Sequence, residues 1–346
     1  MLVGVKLAVL SLARHWPSLE VAVHTPGAPA QFRHWLDSQR NVSVEEVTLR
    51  SKGWNVKPSL LLHHLAAGRS PVIWVDSDVV LMGDLAGRLA AEPLDALVGT
   101  EDVWWARAQG RADRTQAWGF TPGRVLPRTF NTGLVRASPA HTPVLEAWDE
   151  LLRTERYCHA QSLPYAERPL HLVGDQEALT ALLGAAGWAH VDVRLLRRGL
   201  DIAQCYSPAS FAPTERARLA VGRKVPVLVH AMGQKPWVSP VRPPPRDRSA
   251  RFWAWVDAAH RYLTPYTWVA STLAEGLGDE DLGWLSHQPG TAWMAAAAGH
   301  DPVLQELPLS IVDTARCVSP KVRRELGRVA ERARKIGIKA SREPGL

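Results

Sequence analysis

Residues 72–80 read Val72-Ile-Trp-Val-Asp-Ser-Asp-Val-Val80, an apolar, largely β-branched run that delivers two carboxylates, Asp76 and Asp78. Such a run predicts a buried strand, and we expect a central parallel strand of an α/β sheet. In an extended chain side chains alternate, so both carboxylates would project to one side while Ser77 points away. Open α/β sheets bind ligands beyond the carboxyl ends of such strands. The stretch predicts a divalent-cation site there, although a solvated turn can carry the same residues.

Helical and strand-type patterns alternate along the chain. Helical spacing covers residues 2–13, 29–39, 58–67, 81–91, 143–154, 175–183 and 252–262, and strand patterns cover residues 20–24, 42–47, 96–100, 130–136 and 225–230. This alternation predicts an α/β fold with a mixed, mainly parallel sheet flanked by helices. We expect a long functional loop at residues 104–127. A main domain is predicted at residues 1–262, followed by an Ala-rich helical or irregular extension at residues 263–346.

The composition fits a folded protein with an anionic partner. Of the 346 residues, 46% are hydrophobic and 22% are charged, which is ordinary for a globular chain and makes general disorder a poor prediction. The net charge of +7 favours nucleic acid, phospholipid headgroups or a phosphorylated small molecule as the partner. No block of Lys and Arg alternates with aromatic residues as in nucleic-acid-binding modules, so we expect no nucleic-acid partner.

Cysteine usage and hydropathy favour a cytoplasmic protein. Cys158, Cys205 and Cys317 are far apart and form no CxxC pair, which predicts neither a disulfide framework nor a zinc site and suits a reducing compartment. The apolar run at residues 2–13 is interrupted by Lys6 and is shorter than the roughly 18 residues that a membrane span needs. We expect a buried helix there.

The tail carries an amphipathic basic segment at residues 319–339. Apolar residues at helical spacing form one stripe, and arginines and lysines lie opposite it. A helix of this kind can lie on an anionic membrane surface, which predicts peripheral membrane contact. It can equally pack its apolar stripe on the core and leave its basic face in water. The sequence leaves both alternatives open.

Four polar segments stand out, each following a predicted strand or opening a predicted helix. They are Asp76-Ser77-Asp78, Phe130-Asn131-Thr132-Gly133, Asp175-Gln176 and His230-Ala-Met-Gly233-Gln-Lys235-Pro236-Trp237. In this combination and order they resemble glycosyltransferase family 8, over roughly residues 1–262. The resemblance implies a glycosyltransferase-A fold and transfer of a sugar from a nucleotide-diphosphate donor, most often a UDP-sugar, to a hydroxyl acceptor. The acceptor, a glycan, a lipid or a protein, cannot be read from the chain.

The resemblance implies that Asp76, Asp78 and His230 ligate Mn²⁺, or Mg²⁺, together with the diphosphate of the donor. Two carboxylates, one imidazole and phosphate oxygens suit an octahedral cation better than a tetrahedral structural zinc. For His230 alone, a hydrogen-bonded buried histidine is the plain alternative.

Further roles in donor binding and catalysis also come from the resemblance. The expected donor-binding residues are Lys57, Asp76, Ser77, Asn131, Thr132, Gly133, Gly233 and Lys235. Asp175 would bind sugar hydroxyls, and Gln176 would face the anomeric carbon. Family 8 enzymes retain the anomeric configuration, and we favour a front-face transfer in which positioning and electrostatics supply most of the catalysis. The plain alternatives are a turn residue at Asn131, a helix N-cap at Asp175 and a solvated lysine at Lys57.

The chain departs from the family pattern in two places. A single residue, Gln234, separates Gly233 from Lys235, where the family usually has two. The chain also begins inside the helix that normally follows the first strand of the fold, so that strand is expected to be missing. Either the start lies further upstream, or the base pocket is built differently, or donor binding has been lost.

Two other functions remain open from the sequence. A haloacid-dehalogenase-type phosphohydrolase also carries Asp-x-Asp after an apolar strand, with Asp76 as nucleophile and Asp78 as acid/base. That hypothesis leaves Asn131 and His230 unexplained. A catalytically silent, carbohydrate-binding or scaffold protein with a transferase-like fold would retain the motifs without turnover.

Overall fold

The computed structural model describes residues 2–102, 112–204, 226–232, 235, 237 and 265–282. The helices in these residues are α1 (Leu2–His15), α2 (Ala30–Asp37), α3 (Lys57–Ala66), α4 (Leu85–Ala90), α5 (Ala112–Ala117), α6 (Thr142–Arg153), α7 (Glu155–Ser162), α8 (Asp175–Leu183), α9 (Pro265–Thr272) and α10 (Asp279–Leu282). The strands are β1 (Val21–His24), β2 (Val42–Glu45), β3 (Val72–Val75), β4 (Val79–Leu81), β5 (Leu97–Glu101), β6 (Phe130–Ala137), β7 (Val193–Leu196), β8 (Ile202–Gln204) and β9 (Leu228–His230).

The first helices and strands form a βαβ unit. β1 and β2 pair in parallel, with His24 opposite Glu45, and α2 is the crossover between them. Phe32 and Leu36 of α2 pack with Val9 of α1 in one apolar cluster. Alternation of helix and strand patterns predicted these elements, because each buries a single apolar face.

The next strands form two mixed sheets flanked by helices. The four-stranded sheet has the order β3-β6-β5-β7, and the three-stranded sheet has the order β4-β9-β8. β5 and β7, and likewise β8 and β9, are parallel, whereas β6 runs antiparallel to both β3 and β5, and β9 runs antiparallel to β4. The predicted α/β fold with a mixed sheet is confirmed.

The main core lies between β6 and the helices α3, α6, α7 and α8. Trp148 of α6 and Tyr157 of α7 are fully buried there, together with leucines from α3 and α8. α6 is strongly amphipathic, with Val144, Leu145, Trp148 and Leu152 on its buried face. This core holds the N-terminal ends of α3 and α8 against the sheet, where Lys57 of α3 and Asp175 of α8 form an ion pair.

The environment of β3 differs from the sequence prediction. Val72–Val75 was expected to be a buried central parallel strand, but its residues are only half buried. β3 stands at one end of the four-strand order and pairs antiparallel with β6, Val75 lying opposite Leu134. An apolar, β-branched run indicates a strand, but the partner that pairs with it is distant in sequence, so pattern alone does not give its orientation.

Residues 265–282 pack on the N-terminal helix. Lys6 of α1 forms an ion pair with Asp281, and Arg14 donates to the carbonyl of Thr272 at 3.0 Å.

By its internal contacts the chain divides into two compact units. The first comprises Met1–Ser207, Lys224–Val241 and Pro265–Ser286, and the second comprises Pro208–Arg223, Arg242–Thr264 and His287–Leu346. The predicted division after residue 262 stays a prediction.

Several predictions fall outside the described residues. They concern part of the long loop, at residues 103–111, the helix at 252–262 and the basic segment at 319–339. α5 lies within the stretch that was predicted to be a loop. No helix in the described ranges is long and apolar enough to cross a membrane. Cytoplasmic location and membrane contact stay predictions.

Candidate functional site

Asp76, Ser77 and Asp78 form a tight turn between β3 and β4. The backbone N–H of Val79 donates to the carbonyl of Asp76 at 2.9 Å, which closes the turn, and the N–H of Asp76 donates to the carbonyl of Gly133 at 2.8 Å. The expectation of an extended chain through these residues is therefore wrong. The turn brings the two carboxylates together. Before the turn, β3 pairs with β6, and after it, β4 pairs with β9.

His230 completes a group of three potential metal ligands. It is the last residue of β9 and pairs with Val79 directly after the turn. Its Nε2 lies 3.3 Å from Oδ1 of Asp78, and its Nδ1 is buried without a hydrogen-bond partner among the described residues. One ligand atom each from Asp76, Asp78 and His230 lies within 4.8 Å of the others. Two carboxylates and an imidazole form a donor set that fits a divalent cation.

Gly133 leaves the space that His230 occupies. A Cβ atom at position 133 would lie 2.4 Å from Cε1 of His230 and 2.9 Å from Oδ1 of Asn131. Both neighbours are buried. Gly133 was expected to bind the donor, and in the structure the side chain that approaches its backbone is that of the predicted ligand His230.

Lys57 lies beneath the turn as the first residue of α3. Its Nζ is 3.1 Å from Oδ2 of Asp76 and 3.2 Å from Oδ2 of Asp175, and it donates to the hydroxyl of Thr132 at 3.0 Å. Only 3% of the residue is exposed, so the solvated alternative is wrong. Burial would lower the pKa of Lys57, but the carboxylates of Asp175 and Asp76 raise it above the ordinary value. Lys57 is thus a fixed positive charge.

Asp175 opens α8 and faces Lys57. The N-cap of this helix is Gly174, so the alternative role of Asp175 as N-cap is wrong. Its Oδ2 accepts a 2.6 Å hydrogen bond from the hydroxyl of Thr132, and its backbone carbonyl accepts a bond from the indole of Trp148 at 3.0 Å. The sheet therefore holds the carboxylate of Asp175, and the helical core holds its backbone.

Asn131, Gln176 and Asp102 form a closed triangle of hydrogen bonds. Asn131 donates to Gln176 Oε1 at 3.1 Å and to Asp102 Oδ2 at 3.0 Å, and Gln176 Nε2 donates to the same Asp102 oxygen at 2.9 Å. Sequence reasoning missed Asp102. Its signal was its position directly after β5, at the same kind of strand end as Asp76. The triangle fixes the orientation of both amide side chains.

A buried ion pair lies behind Gln176. Arg114 Nε is 2.9 Å from Oε2 of Glu177, and both side chains are essentially inaccessible to water. Burial raises the pKa of Glu177 to about 7; Arg114 opposes this rise, and the nearby carboxylate of Asp102 adds to it. Glu177 was not singled out in the sequence, because a single acid in a helical pattern carries no chemical signal.

Lys235 pairs with Asp78. Its Nζ donates to Oδ2 of Asp78 and, at 2.7 Å, to the carbonyl of Ala231. Burial would raise the pKa of Asp78, but His230 and Lys235 hold it below the ordinary value. The ammonium of Lys235, which was expected to bind the donor, is thus paired with the predicted metal ligand Asp78. Gly233, also predicted to bind the donor, lies outside the described residues.

Helix α1 packs directly on the turn. A Cβ atom at Gly4 would lie 2.9 Å from the carbonyl of Ser77 and 2.7 Å from the ring of Trp237. The side chain of Ser77 is exposed. In one place the structure brings together the predicted residues Lys57, Asp76, Asp78, Asn131, Thr132, Gly133, Asp175, Gln176, His230 and Lys235.

Comparison with known proteins gives solved structures at low sequence identity and low TM-score. The sequence matches no protein-family profile. It also matches no curated protein. Among solved structures, the galactosyltransferase LgtC in complex with donor and acceptor sugar analogues is 19% identical, with a TM-score of 0.45 over 82% of this chain and 96% of that one.

Two longer structures are similar to the same extent. The bifunctional glycosyltransferase WbbM is 14% identical, with a TM-score of 0.44 over 80% of this chain and 49% of that one. GlyE of Streptococcus pneumoniae TIGR4 is 15% identical, with a TM-score of 0.44 over 79% of this chain and 60% of that one. The chain thus spans about half the length of WbbM.

Proposed function

We propose that this protein is a glycosyltransferase that moves a sugar from a nucleotide-diphosphate donor to a hydroxyl acceptor. The observation that carries the proposal is the meeting, at one site, of four segments that are far apart in sequence and resemble family 8 in their order. The acids, amides and imidazole of the site lie within hydrogen-bonding distance of their neighbours. They come from turn 76–78, strand β6, the start of α8 and the end of β9.

Asp76, Asp78 and His230 would hold the metal of this site, which we propose to be Mn²⁺ or Mg²⁺. Bound there, the cation would neutralise the negative charge that develops on the departing diphosphate. The spacing of the three ligand atoms, each within 4.8 Å of the others, and the unpaired Nδ1 of buried His230 support this assignment. The ammonium of Lys57, 3.1 Å from Oδ2 of Asp76, holds this ligand in place.

The sugar of the donor would lie over Asp175 and Gln176. Asp175 is held by Lys57 and Thr132, so it can accept hydrogen bonds from sugar hydroxyls in one fixed orientation. The amides of Asn131 and Gln176 are held by Asp102, which leaves their dipoles oriented before substrate arrives. Such preorganised dipoles stabilise a cation-like sugar without reorganisation during the reaction.

The arrangement supports a retaining, front-face transfer. Every carboxylate of the described site has a cationic or amide partner: Lys57 for Asp76 and Asp175, Lys235 for Asp78, and Asn131 with Gln176 for Asp102. A carboxylate bound to a buried ammonium is a poor nucleophile, which argues against a covalent intermediate at Asp175. Proton transfer from the acceptor to a phosphate oxygen of the donor needs no protein base.

A donor screen tests the proposal. Release of nucleotide from a panel of UDP-, GDP- and other nucleotide sugars is measured with and without Mn²⁺. We expect Mn²⁺-dependent release from at least one donor, abolished by Asp78→Asn and unchanged by Asp37→Asn, which alters an exposed acid at the end of α2.

Other outcomes would support the alternatives. Binding of a donor or glycan without any turnover would indicate a silent carbohydrate-binding or scaffold protein. Hydrolysis of simple phosphoesters, with a phosphoryl group trapped on Asp76, would indicate a phosphohydrolase. Either result would contradict the transferase proposal.

A further inference from the structure

A second cluster of metal-ligand side chains lies at the end of the β1–β2 pair. His24 and Glu45 are the last residues of these two parallel strands and stand opposite each other. His64 reaches them from α3. His24 Nε2 is 2.9 Å from His64 Nε2, which is 4.0 Å from Oε2 of Glu45. One ligand atom from each residue lies within 4.8 Å of the others.

One imidazole nitrogen of this cluster lacks a hydrogen-bond partner, and one offers a lone pair. His24 Nδ1 is buried and has no hydrogen-bond partner among the described residues. With two neutral rings facing each other through Nε2, only one ring can donate, so the other offers a lone pair. A neutral imidazole nitrogen with a lone pair is the form of histidine that ligates a metal.

Arg69 orients the carboxylate of the cluster. Its Nη2 lies 3.1 Å from Oε1 of Glu45, which turns Oε2 towards His64 and towards His63, 3.9 Å away. Such outer partners commonly fix the ligands of a metal site. Arg69 Nη1 also lies 3.1 Å from Nδ1 of His64. When Nε2 of His64 binds a cation, Nδ1 carries the proton and can no longer accept a hydrogen bond from Arg69, so this contact is lost. Because the arginine side chain is 48% exposed, Nη1 can turn from His64 to water while Nη2 stays on Glu45.

We propose that His24, Glu45 and His64 form a second metal site that binds Zn²⁺ in preference to Mn²⁺ and Mg²⁺. Two imidazoles and one carboxylate match the three-ligand set that holds zinc with a fourth, open position, whereas Mn²⁺ and Mg²⁺ prefer oxygen-rich sets. Water or the exposed His63 completes the coordination. This site does not depend on the glycosyltransferase proposal, because it shares no residue with the cluster of Asp76, Asp78 and His230.

The bound zinc ties two strands to α3. His64 lies near the C-terminal end of that helix, and Lys57, which supports Asp76, is its first residue. A ligand that binds only the folded state raises stability in proportion to the logarithm of its concentration over its dissociation constant. Zinc should therefore raise the melting temperature of the whole chain and hold α3 in place.

Zinc binding to the full-length chain tests the proposal. All variants carry Asp78→Asn, which weakens metal binding at Asp76, Asp78 and His230. Titration calorimetry then measures the binding of Zn²⁺ and of Mn²⁺ in separate experiments. We expect one tight Zn²⁺ equivalent and no comparable Mn²⁺ binding. Adding His24→Gln or Glu45→Gln should weaken Zn²⁺ binding by about tenfold or more, since each removes a ligand. His190→Gln, at an exposed histidine elsewhere, is the matched control and should change nothing.

Two further measurements keep the result interpretable. Melting in the presence of a chelator reports whether each variant folds, and Glu45→Gln keeps both imidazoles if His24→Gln does not fold. Co²⁺ in place of Zn²⁺ should give the intense visible absorption of a four-coordinate site in the background chain, and lose it in the variants. Equal zinc affinity in the background chain and in folded His24→Gln or Glu45→Gln would overturn the proposal.

Discussion

Replacing Gly133 by alanine should disable the site with little loss of the fold. The added methyl group would lie 2.4 Å from Cε1 and 2.7 Å from Nδ1 of His230, about 1 Å inside ordinary van der Waals contact. His230 cannot retreat as a whole, because its backbone pairs with Val79 in the sheet. The ring must therefore rotate away from Asp78, or the strands must separate.

The expected cost follows from this overlap. Inserting a methyl group into a packed site costs about 1–3 kcal/mol. With an unfolding entropy of about 2.1 cal/mol/K per residue, a chain of 346 residues loses roughly 1–2 °C of melting temperature per kcal/mol. Changes to the residues that position metal ligands commonly weaken a site by about 10–100-fold, so we expect a clear loss of metal affinity beside a shift of only a few degrees in melting temperature.

Mn²⁺ affinity, measured by electron paramagnetic resonance of the free ion, is the direct assay. Thermal melting measures the fold in the same samples. Gly83→Ala is the matched control, since its Cβ would lie 3.7 Å from Val227, an ordinary contact close to the same sheet. We expect Gly133→Ala to lose affinity while Gly83→Ala keeps it. Wild-type Mn²⁺ affinity in Gly133→Ala would refute the reasoning that Gly133 makes room for a ligand.

Two predictions concern buried charges near the site. Lys57→Met should lower the free energy of unfolding by about 3 kcal/mol or more in urea titrations, because two largely buried carboxylates lose their cation. A change below about 1 kcal/mol would show that water solvates these carboxylates in place of the ammonium. Glu177 has a pKa raised by burial to about 7, so the folded chain binds a proton more tightly than the unfolded one. Its contribution to stability is complete below about pH 4.5 and is lost as the pH rises through about 7, by roughly 3 kcal/mol at most. Glu177→Gln should flatten that part of the pH profile of unfolding free energy, and an unchanged profile would contradict the assignment.

Local patterns predicted most elements correctly. α8 begins at Asp175 and ends at Leu183, as its helical spacing indicated, and β6 extends the predicted strand by one residue, to Ala137. These elements bury one periodic face each, and such periodicity is visible in a short window of sequence. The strand ends that carry Asp76, Asn131 and His230 can therefore be located from the sequence alone.

Long-range pairing could not be predicted in the same way. The orientation of β3 depends on β6, some sixty residues further on, and a single run of apolar residues does not distinguish an edge from a centre. Lys57 and Asp102 belong to the site only because α3 and β5 pack beside β6. The cluster of His24, Glu45 and His64 likewise forms only when two strand ends meet a helix.

The charges around the turn suggest an order of events at the proposed donor site. Lys57 is buried between Asp76 and Asp175 and cannot leave, whereas the side chain of Lys235 is 33% exposed and pairs with Asp78. A cation at Asp78 must displace this ammonium, so the metal and Lys235 compete while no donor is bound. A diphosphate offers Lys235 a stronger partner and relieves the competition, which links metal binding to donor binding.

This competition predicts opposite effects for one substitution. Without a donor, Lys235→Ala should bind Mn²⁺ more tightly than the wild type, because no ammonium competes for Asp78. It should nevertheless bind Mn²⁺ and nucleoside diphosphate together less cooperatively. Arg194→Ala, which removes an exposed cation elsewhere, should change neither quantity. Titrations of Mn²⁺ with and without UDP measure both. If Lys235→Ala bound Mn²⁺ more weakly in the absence of nucleotide, the ammonium would be supporting the metal site and not competing for it, and the proposed order of events would be wrong.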